Sequence, residues 1–424
     1  MRTLERIGVD EREIRNLYLG QVVMVRVGRE NSEPEKIGRG VRQGCPLSPL
    51  LFYPALPDIS SPSHTLTADQ FAFRPSGSTT SAIAALLHTS TEMLETQPFV
   101  RLISFDFSKA FDTIRLSSLF TKLADFPLPD HFYNWLLDFF TDRTHSTLFR
   151  GEQSALLPIN SSIVQGSVMG PMTYVVATSD LRPEDKQNKM CKYADDVYLL
   201  VPACASSTAD AEIVHLENWA QQSNLTLNRS KCRELLLTRG RTALKQPPPP
   251  LASGIERVQE SRVLGVILRG DLSTSAHVQS LETRSSQALY ALKVLKSHGL
   301  QGEDLHLVSK AHIEARLGYA LPAWRGFATQ EQLQRLQRVC DRAHRWQLDG
   351  GHRLPSIEEI ADKLDSGSFR SVSRNKSHVL HRMLPPEREI PYGLRKRSHN
   401  FQLASASHSL RRNFLQRMLF QQSY

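Results

Sequence analysis

Cysteine is sparse in this 424-residue chain, and the five that occur are scattered. The sequence contains no Cys-x-x-Cys pair, which argues against a disulfide framework and indicates a reducing compartment. The nearest approach to a metal-binding pair is Cys340 with His344, and no second pair accompanies it to complete a zinc site. The sequence therefore gives little support to a disulfide-stapled secreted domain or to a zinc domain.

Long apolar runs are absent as well. The longest, near Tyr198 to Ala205, contains Pro202 and is far too short to span a bilayer. The first residues, Met1 to Glu13, are charged and do not resemble a signal peptide. We therefore expect an intracellular protein with no transmembrane segment.

Positive charge is concentrated in one half of the chain. Residues 239–424 hold 29 Lys and Arg against 16 Asp and Glu, a net charge of +13, whereas residues 1–238 hold 23 against 27, a net charge of −4. A polyanion bound by the C-terminal half is one interpretation of this asymmetry. A solvated helical surface is the other, and composition alone does not separate them.

Two adjacent carboxylates mark the most informative short stretch, Tyr193-Ala194-Asp195-Asp196. It lies between two β-prone apolar runs, which predicts the tip of a β-hairpin. Two like charges side by side on a half-buried hairpin are costly, and a bound divalent cation is the usual relief. The stretch alone is suggestive of a metal site.

Two further features strengthen that interpretation. A β-prone run, Val100 to Phe107, ends at Asp106, and a Gln165-Gly166 loop opens a predicted helix between Asp106 and the hairpin. Separately, Asp106 could cap a helix and Gln165-Gly166 could be an ordinary turn. In this order, however, carboxylates from two strands can hold two Mg²⁺ ions about 4 Å apart for nucleotidyl transfer.

Several segments together resemble the ordered motifs of a reverse transcriptase of the non-LTR (LINE-like) retrotransposon type. In chain order they are 69–79 (fingers), 105–112 (first catalytic motif), 164–171 (nucleotide-binding loop), 193–196 (second catalytic motif), 228–231 (fourth motif), 264–266 (primer grip, expected within one strand over 262–268) and 321–324 (thumb). The resemblance implies an α+β fold, with a right-hand polymerase palm (an antiparallel sheet with helices), partial fingers and a helical thumb.

The resemblance also implies which residues take part in catalysis. Asp106, Asp195 and Asp196 would bind two Mg²⁺ ions, with Mn²⁺ as an alternative, and Lys231 would donate a proton to pyrophosphate. Asp112 would cap a helix or form a structural pair.

Substrate-binding residues are implied by the same motifs. Phe111 would stack under the sugar and exclude a 2′-hydroxyl, and Gln165 would contact the incoming nucleotide. Gly166 would let the backbone approach the substrate closely, and Arg74 would contact the template or the triphosphate. The implied partners are an RNA template, a DNA primer or target, and deoxynucleoside triphosphates. The implied location is the nucleus, although the sequence offers only Arg395-Lys396-Arg397 as a basic signal.

The N-terminal segment shares its pattern with a segment in the middle of the chain. Residues of about 13–49 resemble residues of about 131–171, including a second Gln-Gly loop at Gln43. No carboxylate-bearing strand precedes Gln43, so we expect the active site to use Gln165, and we interpret the chain as a fusion of fragments from two elements. The early fingers strands are missing, which leaves open an inactive remnant that at most binds nucleic acid. A purely structural protein fits poorly.

The expected organisation has five parts. They are a partial palm duplicate (1–57), a linker (58–66), the fingers and palm (67–270), a helical thumb-like region (271–349) and a basic C-terminal region (350–424).

Overall fold

The structure, a computed structural model, describes residues 68–126, 128–163, 167, 169–239, 248–388, 399–403 and 407–421, together with four short N-terminal strands. The predicted substrate residues Gln165 and Gly166, the loop at Gln43 and the basic stretch at 395–397 lie outside the described residues. The chain forms two compact units. The first contains the N-terminal strands, Ser108–Leu181 and Trp219–Thr226, and the second contains Ala68–Phe107, Arg182–Asn218 and the described residues from Leu227 onward.

The strands are short except at the centre of the second unit. Their bounds are β1 (Val22–Val23), β2 (Arg26–Val27), β3 (Glu30–Asn31), β4 (Glu35–Lys36), β5 (Phe99–Phe105), β6 (Phe107–Ser108), β7 (Thr144–His145), β8 (Leu148–Phe149), β9 (Glu152–Gln153), β10 (Leu157–Pro158), β11 (Lys189–Tyr193), β12 (Asp196–Pro202), β13 (Thr226–Leu227), β14 (Arg233–Thr238), β15 (Glu256–Val258), β16 (Glu260–Val263) and β17 (Val266–Arg269).

Helices dominate the C-terminal half. Their bounds are α1 (Thr79–Thr96), α2 (Ala110–Thr113), α3 (Leu116–Ala124), α4 (Asp130–Phe140), α5 (Met169–Ala177), α6 (Ala209–Gln222), α7 (Ser275–Ser297), α8 (Gly302–Ser309), α9 (Ala315–Gly318), α10 (Leu321–Trp324), α11 (Gln330–Arg345), α12 (Ile357–Arg374) and α13 (Phe414–Gln421). Within the part of the chain that the structure describes, no helix is both long and apolar enough to cross a membrane.

A five-stranded sheet organises the second unit, in the order β11-β12-β5-β14-β15. Its pairs are antiparallel except β14 with β15, which run parallel. The central strand β5 is buried along most of its length, with a strand on each side and α1 packed against the sheet. Sheet and helices together confirm the expected α+β class.

The first unit repeats one small strand arrangement. β1 pairs with β4 and β2 with β3, and β7 pairs with β10 and β8 with β9, all antiparallel. Every paired position in the second set lies 122 residues after its counterpart, as Val22↔Lys36 corresponds to Thr144↔Pro158. In the sequence, Gln43 and Gln165 are separated by the same interval. The backbone pairing therefore repeats in register, while the predicted domain boundaries stay predictions.

One strand expectation is wrong. Residues 262–268 form two strands, because β16 and β17 pair as a hairpin that reverses at Leu264 and Gly265. Both turn residues have positive φ, at 45° and 87°, which is the conformation of a type I′ turn. A Cβ on Gly265 would also lie 3.0 Å from the Tyr319 ring. The glycine inside the apolar run marks a chain reversal.

A buried ion cluster joins the helices near the C-terminus of the second unit. Asp365 on α12 is 2 % exposed and pairs with the guanidinium groups of Arg325 and Arg417. Trp324 beside it is fully buried, and its indole nitrogen donates to the carbonyl of Tyr319 at 3.1 Å. On α11 the buried residues are Leu336, Val339, Cys340 and Ala343, whereas Leu333 is partly buried.

Candidate active site

Register in the central sheet brings the predicted carboxylates to one end of two neighbouring strands. β11 and β12 form the predicted hairpin, closed by the pair Tyr193↔Asp196, with Ala194 and Asp195 in the turn. β12 pairs with β5 so that Val197 lies opposite Phe105. The next positions along this antiparallel register are Asp196 and Asp106, so these two carboxylates are cross-strand neighbours.

Electrostatics show that the three carboxylates share one environment. Partial burial, followed by the charges of Asp195 and Asp106, together raise the pKa of Asp196 to about 6. Asp195 and Asp196 nonetheless keep exposed surface. The carboxyl of Asp196 is therefore poised to accept a proton or a cation that neutralises the cluster.

Asp106 is not a helix cap. α2 begins at Ala110, and its N-cap residue is Lys109, which makes no side-chain capping bond. Within the described residues, the Oδ2 atom of Asp106 is shielded from solvent and has no hydrogen-bond partner. The nearest cation is the ammonium group of Lys231, at 3.5 Å from that oxygen. A carboxylate held in this way is a suitable ligand for a cation.

The segment carrying Lys231 is fixed to the same strand end. The backbone N–H of Asn228 donates to the carbonyl of Asp106 at 2.8 Å, and the N–H of Lys231 donates to the carbonyl of Asn228 at 3.0 Å. Ser230 adds a hydroxyl bond to the Asn228 side chain at 2.7 Å. The turn thus places an exposed Lys231 side chain beside Asp106, as the motif order leads one to expect.

The remaining predicted residues have other contacts, or they lie outside the described residues. Arg74 is buried, and its guanidinium donates to the carbonyl of Gln70 at 3.2 Å. Phe111 belongs to the first unit, where its ring stacks on Tyr174 with centroids 4.4 Å apart. Asp112 lies in the first turn of α2. The functions predicted for Arg74 and Phe111 stay predictions.

A comparison with known protein families identifies the family of this chain. Residues 54–268, just over half of the chain, match the reverse transcriptase (RNA-dependent DNA polymerase) family. The chain belongs to the reverse transcriptases. The matched range includes Asp106, Asp195, Asp196 and Lys231, and it begins after the duplicated N-terminal strands.

Two curated relatives of this reverse transcriptase are RNA-directed DNA polymerases of mobile elements. It is 23 % identical over 365 residues to a probable RNA-directed DNA polymerase from transposon BS of Drosophila melanogaster, covering 79 % of this chain and 39 % of the relative. It is 26 % identical over 226 residues to the RNA-directed DNA polymerase from mobile element jockey of Drosophila funebris, covering 50 % and 24 %. The chain thus spans less than half the length of these relatives. The comparisons do not support a fusion of two elements.

Solved structures show a weaker likeness. The apo telomerase of Candida tropicalis aligns over 95 % of this chain and 63 % of its own, at 10 % identity and a TM-score of 0.43.

The side chains around Asp106 and Asp196 show whether this site of the reverse transcriptase suits a metal ion. Among the described residues, no three His, Cys, Asp or Glu side chains lie close enough together to hold a metal ion as they stand. The donor chemistry nevertheless fits a hard cation, because Asp106 presents a buried oxygen that accepts no hydrogen bond and Asp196 has a pKa raised by burial and by its acidic neighbours. The carboxylates fit the divalent metals that the family uses.

Sequence reasoning missed a residue that directly contacts the turn formed by Ala194 and Asp195. Gln70 is 2 % exposed, and its side-chain oxygen accepts the backbone N–H of Ala194 at 3.1 Å. The signal was present, because Gln70 lies within the fingers motif, but the motif does not say which segment it contacts.

Proposed function

We propose that this chain is an RNA-directed DNA polymerase that transfers nucleotides from deoxynucleoside triphosphates to a primer 3′-hydroxyl. The observation that carries the proposal is the strand register, which places Asp106, Asp195 and Asp196 at the same end of β5 and the β11–β12 hairpin. The coupled charges of these residues, within a chain of the reverse transcriptase family, are those of a nucleotidyl-transfer site.

Asp106, Asp195 and Asp196 are proposed to hold two Mg²⁺ ions, or Mn²⁺ in their place. When bound, such ions activate the attacking hydroxyl and neutralise charge on the leaving pyrophosphate. The contribution of the protein is to hold the carboxylates on rigid strands, so that little reorganisation accompanies the reaction. Cross-strand pairing of β5 with β12 supports this rigidity for Asp106 and Asp196.

Lys231 is proposed to donate a proton to the leaving pyrophosphate. Its ammonium group is exposed and lies 3.5 Å from the carboxylate of Asp106, which places it close to the reacting groups. The bond from Asn228 to the Asp106 carbonyl keeps the two side chains together when substrate enters.

Nucleotide selection is proposed to depend on Phe111, Gln165, Gly166 and Arg74. Stacking on Tyr174 limits rotation of the Phe111 ring, and a fixed ring is what exclusion of a 2′-hydroxyl requires. Gln165 and Gly166 would contact the nucleotide, and Arg74 the template or triphosphate, on the strength of their motifs alone.

The proposed partners are an RNA template and a DNA primer or target, and the proposed location is the nucleus. The excess of Lys and Arg in residues 239–424 supports a polyanionic partner. The activity named for the relatives, which are RNA-directed DNA polymerases of mobile elements, points the same way.

Primer extension on an RNA template with Mg²⁺ tests the proposal. We expect the full chain to extend a DNA primer, and Asp195→Asn to lower the rate by about a hundredfold or more, because a metal ligand is lost. Asp304→Asn, an exposed aspartate on α8, serves as the matched control and should leave the rate unchanged.

Two outcomes would contradict the proposal. A chain that binds RNA in a salt-sensitive way but never extends a primer is an inactive remnant. Extension that survives Gln165→Ala and is abolished by Gln43→Ala would move the active site to the N-terminal loop.

A further inference from the structure

The fingers segment forms an isolated β-bridge with β11, the outer strand of the hairpin that carries Asp195. Gln70 forms a parallel bridge with Lys192 on β11. The N–H of Lys192 donates to the carbonyl of Asp69 at 2.8 Å, and the N–H of Phe71 donates to the carbonyl of Lys192 at 2.9 Å. Lys192 is the residue immediately before Tyr193, so this bridge places Gln70 beside the catalytic turn.

The Gln70 side chain closes onto that turn. Its Oε1 atom accepts two backbone N–H groups, from Ala194 at 3.1 Å and from Ala72 at 3.0 Å. Since both neighbours are donors, only the amide oxygen can face them, which fixes the orientation of the amide. Gln70 and Ala194 are buried, so this bond has little competition from water.

The bond acts on a strained residue. Ala194 has a φ of 55°, in the left-handed region, and it is the first residue of the two-residue turn between Tyr193 and Asp196. Turns with a positive φ at that position favour glycine, because a Cβ crowds the backbone there. The alanine therefore needs support from outside the turn, and the amide oxygen of Gln70 supplies it.

Neighbouring residues hold the backbone around Gln70 in place. Arg74 donates to its carbonyl at 3.2 Å. Asp69 accepts from Arg182 at 3.0 Å and pairs with the buried ammonium group of Lys192 at 3.3 Å. A Cβ on Gly77 would lie 2.1 Å from the carbonyl oxygen of Phe71, so the segment can bend back on itself only with glycine there.

We infer that Gln70 is a positioning residue, which holds the Ala194 turn so that Asp195 is presented to the reacting groups. This inference rests on the proposed function. It adds to that function a part for the fingers segment that does not involve contact with template or nucleotide. The bond spans 124 residues of sequence and joins two of the family motifs.

The test compares Gln70→Met with the same substitution at a second glutamine, Gln97. Methionine has a similar volume and no acceptor oxygen for Ala194. Gln97→Met is the control, because the Gln97 side chain accepts the N–H of Cys204 at 3.1 Å, just beyond the opposite end of β12. We expect Gln70→Met to lower kcat of primer extension by about tenfold or more with KM for the nucleotide changed by less than about twofold. Gln97→Met should leave both unchanged.

A second background separates positioning from a general loss of structure. Ala194→Gly removes the Cβ that makes the turn strained, so the turn depends less on Gln70. In that background we expect Gln70→Met to lower kcat by less than about threefold. Thermal unfolding of each variant is measured in parallel. An equal loss of kcat in both backgrounds overturns the inference, as does a Gln70→Met effect confined to KM.

Hydrogen exchange gives a readout that does not depend on activity. The Ala194 amide should lose protection in Gln70→Met and keep it in Gln97→Met. If the wild-type chain extends no primer, the proposed function fails, and the exchange result still decides whether Gln70 holds the turn. If the wild-type chain is active and Ala194 exchange is unchanged in Gln70→Met, the inference fails alone.

Discussion

At the scale of single residues, Asp196 shows a conflict between chemistry and stability. Its position opposite Asp106 and next to Asp195 is useful for holding cations. The same position raises its pKa from 3.8 to about 6 in the folded chain. A carboxyl with a raised pKa favours folding when it is protonated. That contribution is present below pH 3.8 and is lost as the pH rises through about 6.

Asp196→Asn is therefore expected to be more stable than the wild type at pH 7 in the absence of divalent metal, although it should be inactive. Thermal unfolding in EDTA from pH 4 to pH 8 measures this. The wild type should lose stability relative to the variant between about pH 4 and pH 7. Identical pH profiles for the two proteins would show that Asp196 is not repelled by Asp195 and Asp106. Asp304→Asn, which changes an exposed aspartate, is the control.

At the scale of elements, the central strand β5 is tied to its neighbours by a buried charge network. Arg101 on β5 donates to Glu234 on β14 at 2.7 Å, and Arg257 on β15 donates to the same oxygen at 2.9 Å. Glu234 is fully buried. One carboxylate thus joins three strands of the sheet that carries Asp106.

Glu234→Ala should destabilise the fold by about 3–5 kcal/mol. The substitution removes the buried carboxylate that pairs with the guanidinium groups of Arg101 and Arg257. Glu256→Ala is a matched control on the same pair of strands, since Glu256 pairs with Arg233 at the surface. That change should cost no more than about 0.5 kcal/mol. Urea unfolding measures both, and comparable losses would show that the buried network contributes no more than a surface pair.

The elements also show where sequence patterns succeed. The β-prone run to Asp106, the hairpin at Asp195 and the helix with buried Leu216 and Trp219 were all predictable, because their patterns are local. The hairpin of β16 and β17 was not. Leu264 adopts a positive φ that leucine rarely takes, and only the neighbouring Gly265 hints at the turn. Contacts from Tyr198 and Tyr319 to the backbone of Leu264 stabilise that conformation.

At the scale of the whole molecule, the basic C-terminal half should govern binding of a polyanion. Affinity for single-stranded RNA is expected to fall with salt, because each phosphate contact releases counterions and contributes about 0.7 to the logarithmic slope. Arg338→Gln with Arg345→Gln, both exposed on α11, should reduce that slope by about 1.4, because two contacts are lost.

Lys186→Gln with Lys189→Gln makes the same charge change in the acidic half and is the control. Fluorescence anisotropy over a range of salt concentrations measures the slopes. If the control pair lowers the slope and the α11 pair does not, the basic half is not the principal RNA contact.

The sequence by itself determined the family motifs, the three carboxylates and the α+β class, because each depends on residue type and on spacing along a short stretch. The register of β5 against β12 was decided only by tertiary structure, and it is what makes Asp106 and Asp196 neighbours. The bond from Gln70 to Ala194 is of the same kind. Local pattern cannot encode which distant backbone N–H a buried side chain will meet, since that depends on how the intervening chain packs.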